Sequence, residues 1–238
     1  MILRPVLLGL FLLLPAAAPL RAEAIALDLG RAPFCLIGET VQVSVTKSLS
    51  MVEGRYDYKY VARFDGAALR DTVPFEFPVL VPVDAEDLDA LLAITQMKLR
   101  VGTAEFQPVD HEFPVDRAGV RGLTLPEDMR VAILIFRLPR ALLRERVSLA
   151  VTYFQPHYRV AGKDVTALLP QLPDFDGLKN EFLFSRVDFI VEFEAIEAIR
   201  LHRISANQSV VQETPERVKV NPVHREAIAV AIEGPARP

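Results

Sequence analysis

The stretch that decides the fold is Val41–Phe64, VQVSVTKSLSMVEGRYDYKYVARF. In its first part, up to Leu49, the odd positions are mostly apolar and the even positions are mostly polar. From Val52 onward the phase is inverted, because most apolar and aromatic residues now occupy even positions and the charged residues occupy odd ones. Alternation of this kind predicts half-buried β-strands, each with one solvated face.

The change of phase between Leu49 and Val52 shows that one regular strand cannot serve both halves of this stretch. A shift of one residue turns every following side chain to the opposite face. Two structures satisfy the pattern: a bulge or bend that carries one strand between two sheets, or a tight turn between two separate strands. We favour the bulge or bend, because strands that cross between sheets occur in β-sandwiches.

Three tyrosines, Tyr56, Tyr58 and Tyr60, share one face of the second half of this stretch. An exposed row of rings could bind a sugar chain, whereas an inward row would be part of the core. The opposite face carries five charged residues, Glu53, Arg55, Asp57, Lys59 and Arg63. Burying those charges would cost far more than burying three phenols. We therefore expect the tyrosines to face the core, and a carbohydrate-binding module that uses them is the alternative.

Strand signals continue along most of the chain. Residues 73–83 alternate with Pro74, Pro78 and Pro82 on one parity, which predicts an edge strand or a bent one, since proline donates no ladder hydrogen bond. Residues 131–136 are apolar on both parities, which is typical of a central strand that is covered on both sides. Further core strands are predicted at 147–154, 187–193 and 228–232, with a strand–turn–strand over 190–204.

Helical signals are few. Asp84, with Asp87 three residues later and a leucine stripe behind it, predicts a capped helix near 85–95. A shorter helical turn is expected after Pro139. The chain is therefore predicted to be all-β, a β-sandwich of the immunoglobulin-like type with one or two short helices.

The loop at 117–126, which contains two glycines and a proline, is the best candidate boundary within the chain. It separates a β-rich half at 25–116 from a second β-rich half at 126–233. The two halves form either two sandwiches or one continuous sandwich domain, and the pattern leaves both open.

The N-terminal segment Met1–Ala24 has the order of a secretory signal peptide. Arg4 is followed by the apolar run VLLGLFLLL, then by a helix-breaking proline and the cleavage-type sequence Ala22-Glu23-Ala24. The apolar run is shorter than the roughly 20 residues that cross a bilayer. We expect cleavage before Ile25, export to the periplasm or the extracellular space, and no stable membrane insertion afterwards.

The net charge and the cysteine content limit the kinds of partner and of covalent cross-link that this chain can have. Removing residues 1–24 takes away two basic residues and one acidic residue, which leaves 25 basic and 30 acidic residues, a net charge of −5. Such mild acidity gives no reason to expect a nucleic acid as partner. Cys35 is the single cysteine, so an intrachain disulfide is impossible, and its apolar surroundings predict a buried, inert thiol.

Signatures of catalysis are sparse. The sequence contains no G-x-S-x-G, H-E-x-x-H, Gly-rich phosphate loop or C-x-x-C. Asp110-His111-Glu112 combines an imidazole with two carboxylates, but adjacent residues of an extended segment point to alternating sides. Gln155, His157 and Tyr158 form a denser polar cluster at the end of a long apolar strand, where binding residues are commonly found.

We therefore expect no catalytic residue, no metal and no cofactor, with His157, Tyr158, Gln155 and His111 as the candidate binding residues. The expected role is that of a non-catalytic exported protein that binds another exported or envelope protein, or of an envelope structural component. The alternative is a hydrolytic or other enzyme that uses Asp110, His111 and Glu112 with His157.

Overall fold

The computed structural model describes residues 34–46, 49–60, 71–83, 96–113, 123–126, 129–160, 162–170, 184–191, 196–203, 209–222 and 226–234. These residues form fifteen strands: β1 (Phe34–Val45), β2 (Leu49–Tyr60), β3 (Thr72–Pro82), β4 (Lys98–Val101), β5 (Ala104–Phe106), β6 (Asp110–Glu112), β7 (Met129–Pro139), β8 (Arg146–Pro156), β9 (Tyr158–Val160), β10 (Lys163–Leu168), β11 (Phe184–Val191), β12 (Ala198–His202), β13 (Ser209–Thr214), β14 (Arg217–Asn221) and β15 (Ile228–Glu233). One turn of 3-10 helix, Arg140–Leu142, follows β7, as predicted after Pro139.

The strands are arranged in three sheets. An eight-stranded sheet has the order β13-β14-β11-β1-β2-β8-β4-β5, a four-stranded sheet the order β12-β15-β10-β9, and a three-stranded sheet the order β3-β7-β6. The predicted all-β class is therefore confirmed, and the sheets are stacked as in a β-sandwich. Strands from both sides of residues 117–126 are neighbours in the eight-stranded sheet, since β1 pairs with β11 and β2 pairs with β8.

The favoured bulge or bend after residue 49 is wrong, because a tight turn separates two strands. Strands β1 and β2 are antiparallel neighbours, with Val45 opposite Ser50. The backbone N–H of Thr46 donates to the carbonyl of Leu49 at 3.0 Å and closes the turn. The inverted phase therefore marks a return along the same sheet. A bulge does occur in β1, but it lies near its start, between Leu36 and Gly38.

The tyrosine row faces the core, as predicted. Tyr56 and Tyr58 are 1% and 6% exposed, and Tyr60 is also buried. The rings of Tyr56 and Tyr58 meet aromatic residues of β3 edge-on, with centroid distances of 5.3 Å from Tyr56 to Phe77 and 5.4 Å from Tyr58 to Phe75. Such pairs contribute about 0.5–1.5 kcal/mol each beyond the burial of area. The main core therefore lies between the eight-stranded sheet and the β3–β7 pair.

Strand β7 is covered on both faces, which confirms the central strand predicted from its uniform hydrophobicity. Leu134 and Phe136 point into the main core. Val131 and Ile133, on the other face, pack into a second core with residues of β10 and β15 such as Val165. Strand β3 is the edge strand beside β7, as its three prolines predict.

Other predicted strands are also present. Strands β8 and β15 cover the predicted segments 147–154 and 228–232, and β11 covers the predicted segment 187–193 as far as Val191. Strand β12 follows β11 as the second strand of the predicted strand–turn–strand, and residues 192–195 between them lie outside the described residues. The predicted helix near 85–95 and the signal peptide lie outside the described residues, and so do most residues of the predicted boundary loop. The side chain of Cys35 is likewise outside what the structure describes. In the described part of the chain, no helix has the length and apolar character that a membrane span requires.

Candidate functional site

The polar cluster singled out at residues 155–158 lies where β8 ends and β9 begins. Gln155 faces inward on β8 and is 4% exposed. Its direct cross-strand partner is Ser50 of β2, which is 0% exposed. Because the β2–β8 pairing brings these two positions together, a serine far away in sequence becomes part of the cluster.

Ser50 and His157 form a hydrogen bond that the sequence alone did not reveal. The Oγ of Ser50 lies 3.1 Å from Nε2 of His157, and which atom donates depends on the tautomer of the ring. This distance is the one found between a nucleophile and its general base. The hydroxyl, however, belongs to a fully buried residue on the core side of the sheet. In this arrangement the contact anchors the start of β2 to the segment that follows β8.

Gln155 and Tyr158 also contact the backbone of neighbouring strands. The side-chain amide of Gln155 donates to the carbonyl of Ala167 in β10. The hydroxyl of Tyr158 donates to the carbonyl of Leu80 in β3 at 3.4 Å. Burial raises the pKa of the Tyr158 phenol well above its usual range, which keeps it a neutral donor. The cluster therefore links all three sheets.

His111 lies on β6, at the edge of the three-stranded sheet. It is opposite Leu134, whereas Asp110 and Glu112 are opposite Ile135 and Ile133. Residues directly opposite each other share a face, so the imidazole and the two carboxylates point to opposite sides of the sheet. The Asp110 carboxylate accepts the backbone N–H of His111 at 2.8 Å.

The predicted site residues are therefore divided between two places. Gln155 and His157 are brought together through Ser50, and Tyr158 is adjacent, while His111 belongs to a different sheet. Among the residues with described positions, no three histidine, cysteine, aspartate or glutamate side chains are grouped so that they could hold a metal ion.

A second buried polar group, Glu39, was missed by the sequence analysis. It is 0% exposed on the core face of β1, opposite Tyr56 of β2 and Ser185 of β11. The hydroxyl of Ser185 donates to its carboxylate at 2.5 Å. Burial is the main cause that raises the pKa of Tyr56 and the pKa of Tyr58. The negative charge of the nearby Glu39 raises both pKa values further.

The odd or even position of a residue within its strand was the sequence signal that could have identified Glu39 and Ser50 as buried. Glu39 is two residues before Val41 and therefore continues the apolar odd-numbered face of β1. Ser50 is two residues before Val52 and continues the even-numbered face that the tyrosines share. A polar residue in register with a core face is a candidate for a buried hydrogen-bonding role.

Comparisons with known proteins assign no family. No protein-family model and no curated protein matches the chain. Among solved structures, native yeast LTA4 hydrolase aligns over 87% of this chain and 30% of its own, with 10% identity and a TM-score of 0.40. The M1 zinc metallopeptidase of Deinococcus radiodurans aligns over 85% of this chain and 43% of its own, with 10% identity and a TM-score of 0.30. The chain thus spans less than half of either protein, and similarities this low assign no activity.

Proposed function

We propose that this chain is an exported, non-catalytic β-sandwich protein whose role is to bind another exported or envelope protein. The observation that carries the non-catalytic part of the proposal is the burial of Ser50 and Gln155 beside the half-buried His157, because the serine and the glutamine are at most 4% exposed. The Ser50 hydroxyl thus fixes the segment that follows β8, and the Gln155 amide joins the eight-stranded sheet to the four-stranded sheet. Export is supported by the order of charged, apolar and small residues in Met1–Ala24.

A fluorophosphonate probe tests the non-catalytic part of this proposal. Such probes label a serine that an adjacent base has activated and that a substrate can reach. The purified mature protein should show no labelling at Ser50, and the Ser50→Ala variant should behave identically. Stoichiometric labelling that disappears in the Ser50→Ala variant would establish an accessible nucleophile and contradict a non-catalytic role.

N-terminal sequencing of the protein recovered from outside the cytoplasm tests whether the chain is exported and its signal peptide removed. We expect a mature chain that begins at Ile25, because signal peptidase cleaves after a small residue in the Ala22-Glu23-Ala24 pattern. Intact Met1 on protein recovered from the cytoplasm would contradict export.

The carbohydrate-binding alternative depends on a platform of exposed rings. Tyr56, Tyr58 and Tyr60 are 1–9% exposed in the folded protein. The rings of Tyr56 and Tyr58 pack on β3, and that of Tyr60 packs on Phe34 of β1. They are therefore unavailable to stack on a sugar unless the core opens. Binding of a soluble polysaccharide that persists in Tyr58→Phe, which keeps the ring, and is lost in a Tyr58→Ala variant that circular dichroism shows to be folded would revive this alternative.

A further inference from the structure

The outward face of the eight-stranded sheet has a charge opposite to that of the whole chain. Pairing registers place twelve charged residues on this face: Arg55, Lys59, Lys98, Arg100, Arg146, Arg186, Arg217 and Lys219 are basic, and Glu53, Asp57, Glu105 and Asp188 are acidic. Counted over the residues that the structure describes, the face therefore has an excess of four positive charges, on a chain whose formal net charge is −4. We call these twelve residues and the strand positions between them the basic face.

Three arginines form a straight row across the middle of the basic face. The registers align Arg186, Thr40, Arg55, Ala150 and Arg100 on five successive strands, β11, β1, β2, β8 and β4. Alternate strands are about 9–10 Å apart, so the three guanidinium-bearing positions span about 20 Å. All three arginines are exposed, and the small residues between them leave the surface open to a flat partner.

Local ion pairs account for most of the acidic residues on the basic face. Asp57 lies 3.5 Å from Arg55, and Glu105 lies 3.0 Å from Lys98. Asp188 holds Arg217 in a two-pronged contact, and this hydrogen bonding raises the pKa of the guanidinium. Exposed pairs such as that of Arg55, whose side chain is 70% exposed, are weak and exchange readily. The arginines of the row can therefore form ion pairs with the acidic groups of a partner.

We infer that the basic face docks an acidic surface of another protein, and this inference rests on the proposed protein-binding role. Charge complementarity favours an acidic partner, because like charges placed face to face are strongly disfavoured. The four carboxylates interspersed with the cations favour a patterned protein surface over the uniform phosphates of a membrane. The negative charge on the rest of the chain would also repel an extended polyanion.

Site-specific photo-cross-linking in the producing cells tests this inference. A cross-linking residue is placed at Thr40 or Ala150, between the arginines, and at Arg137 or Arg159 on other sheets as control positions. The charge of the three arginines in the row is reversed in the variant R55E/R100E/R186E. Its matched control is R137E/R159E/R200E, in which three other exposed arginines undergo the same change of charge. Circular dichroism checks that both variants are folded.

The expected result is a discrete adduct from Thr40 and Ala150 that maps to an acidic segment of its partner. It should fall about tenfold in R55E/R100E/R186E and in about 0.5 M salt, and less than about twofold in the control variant. An adduct that survives reversal of the row would overturn the inference.

Two other outcomes also overturn the inference and separate it from the proposed function. Adducts found only at the control positions would leave protein binding intact and place the partner on a different surface. No protein adduct at any position, together with row-dependent binding to phosphatidylglycerol vesicles, would replace protein binding with a membrane role. No adduct and no vesicle binding would contradict both proposals.

Discussion

Replacing Gly54 with alanine should destabilise the protein through the ring of one neighbouring tyrosine. A Cβ at position 54 would lie 2.6 Å from Oη and 2.7 Å from Cζ of Tyr56, and closer still to its Cε2. The ring folds over the glycine along the same face of β2. It cannot withdraw easily, because Tyr56 is 1% exposed and its ring meets Phe77 at 5.3 Å.

The magnitude follows from two opposing effects. Overpacking a dense core typically costs about 1–3 kcal/mol. Alanine also restricts the unfolded chain more than glycine does, which returns about 0.4–1 kcal/mol. The Gly54→Ala variant should therefore lose about 1–2 kcal/mol of unfolding free energy, measured by urea denaturation. Gly234→Ala is the matched control, because a Cβ there meets nothing within 4 Å, and it should change stability by less than about 0.5 kcal/mol.

A double-mutant cycle tests whether the clash with the Tyr56 ring causes the loss of stability in Gly54→Ala. When Tyr56 is first replaced with leucine, the far ring atoms are gone, and the added methyl group at position 54 should be neutral or slightly stabilising. We expect a coupling of about 1 kcal/mol or more between the two positions. If Gly54→Ala costs the same in both backgrounds, or if it stabilises the otherwise unchanged protein, the steric argument is wrong.

Three further predictions concern the buried polar and aromatic groups. Tyr58→Ala should cost about 3–5 kcal/mol in chemical denaturation, as truncated core aromatics do, and a loss below about 0.5 kcal/mol would show that the ring is exposed. Ser50→Ala should cost about 1 kcal/mol, because it removes a buried hydrogen bond to the half-buried His157, and an unchanged denaturation midpoint would show that this bond contributes nothing. Burial raises the pKa of Tyr56, Tyr58, Tyr153 and Tyr158 above the usual value of 10.0, so the unfolded chain releases these protons first. The contribution of these four tyrosines to stability should be constant below about pH 9 and fall above about pH 10, by up to 1.4 kcal/mol per pH unit for each tyrosine. The chain has five tyrosines, so phenolate absorbance from more than one of them near pH 10, while the protein is still folded, would contradict this.

The orientation of individual side chains was predictable from the sequence, because it depends on neighbours two residues apart. The parity of Tyr56 and Tyr58 placed them in the core, and the prolines of β3 identified an edge strand, since a missing N–H donor is a property of the residue itself. The same local rule applied to Glu39 and Ser50 would have indicated that both are buried. Their partners, however, could not be named from that rule.

The tertiary structure alone decided which strands pair. The phase change after Leu49 is compatible with a bend and with a turn, and only the pairing of Val45 with Ser50 distinguishes them. The contacts of Ser50 with His157 and of Glu39 with Ser185 join residues 107 and 146 positions apart. Such contacts depend on the relative placement of distant strands, which the two-residue periodicity of a strand does not encode. The row of Arg186, Arg55 and Arg100 exists for the same reason: each arginine is only an exposed strand residue in the sequence, and the registers of five strands align them.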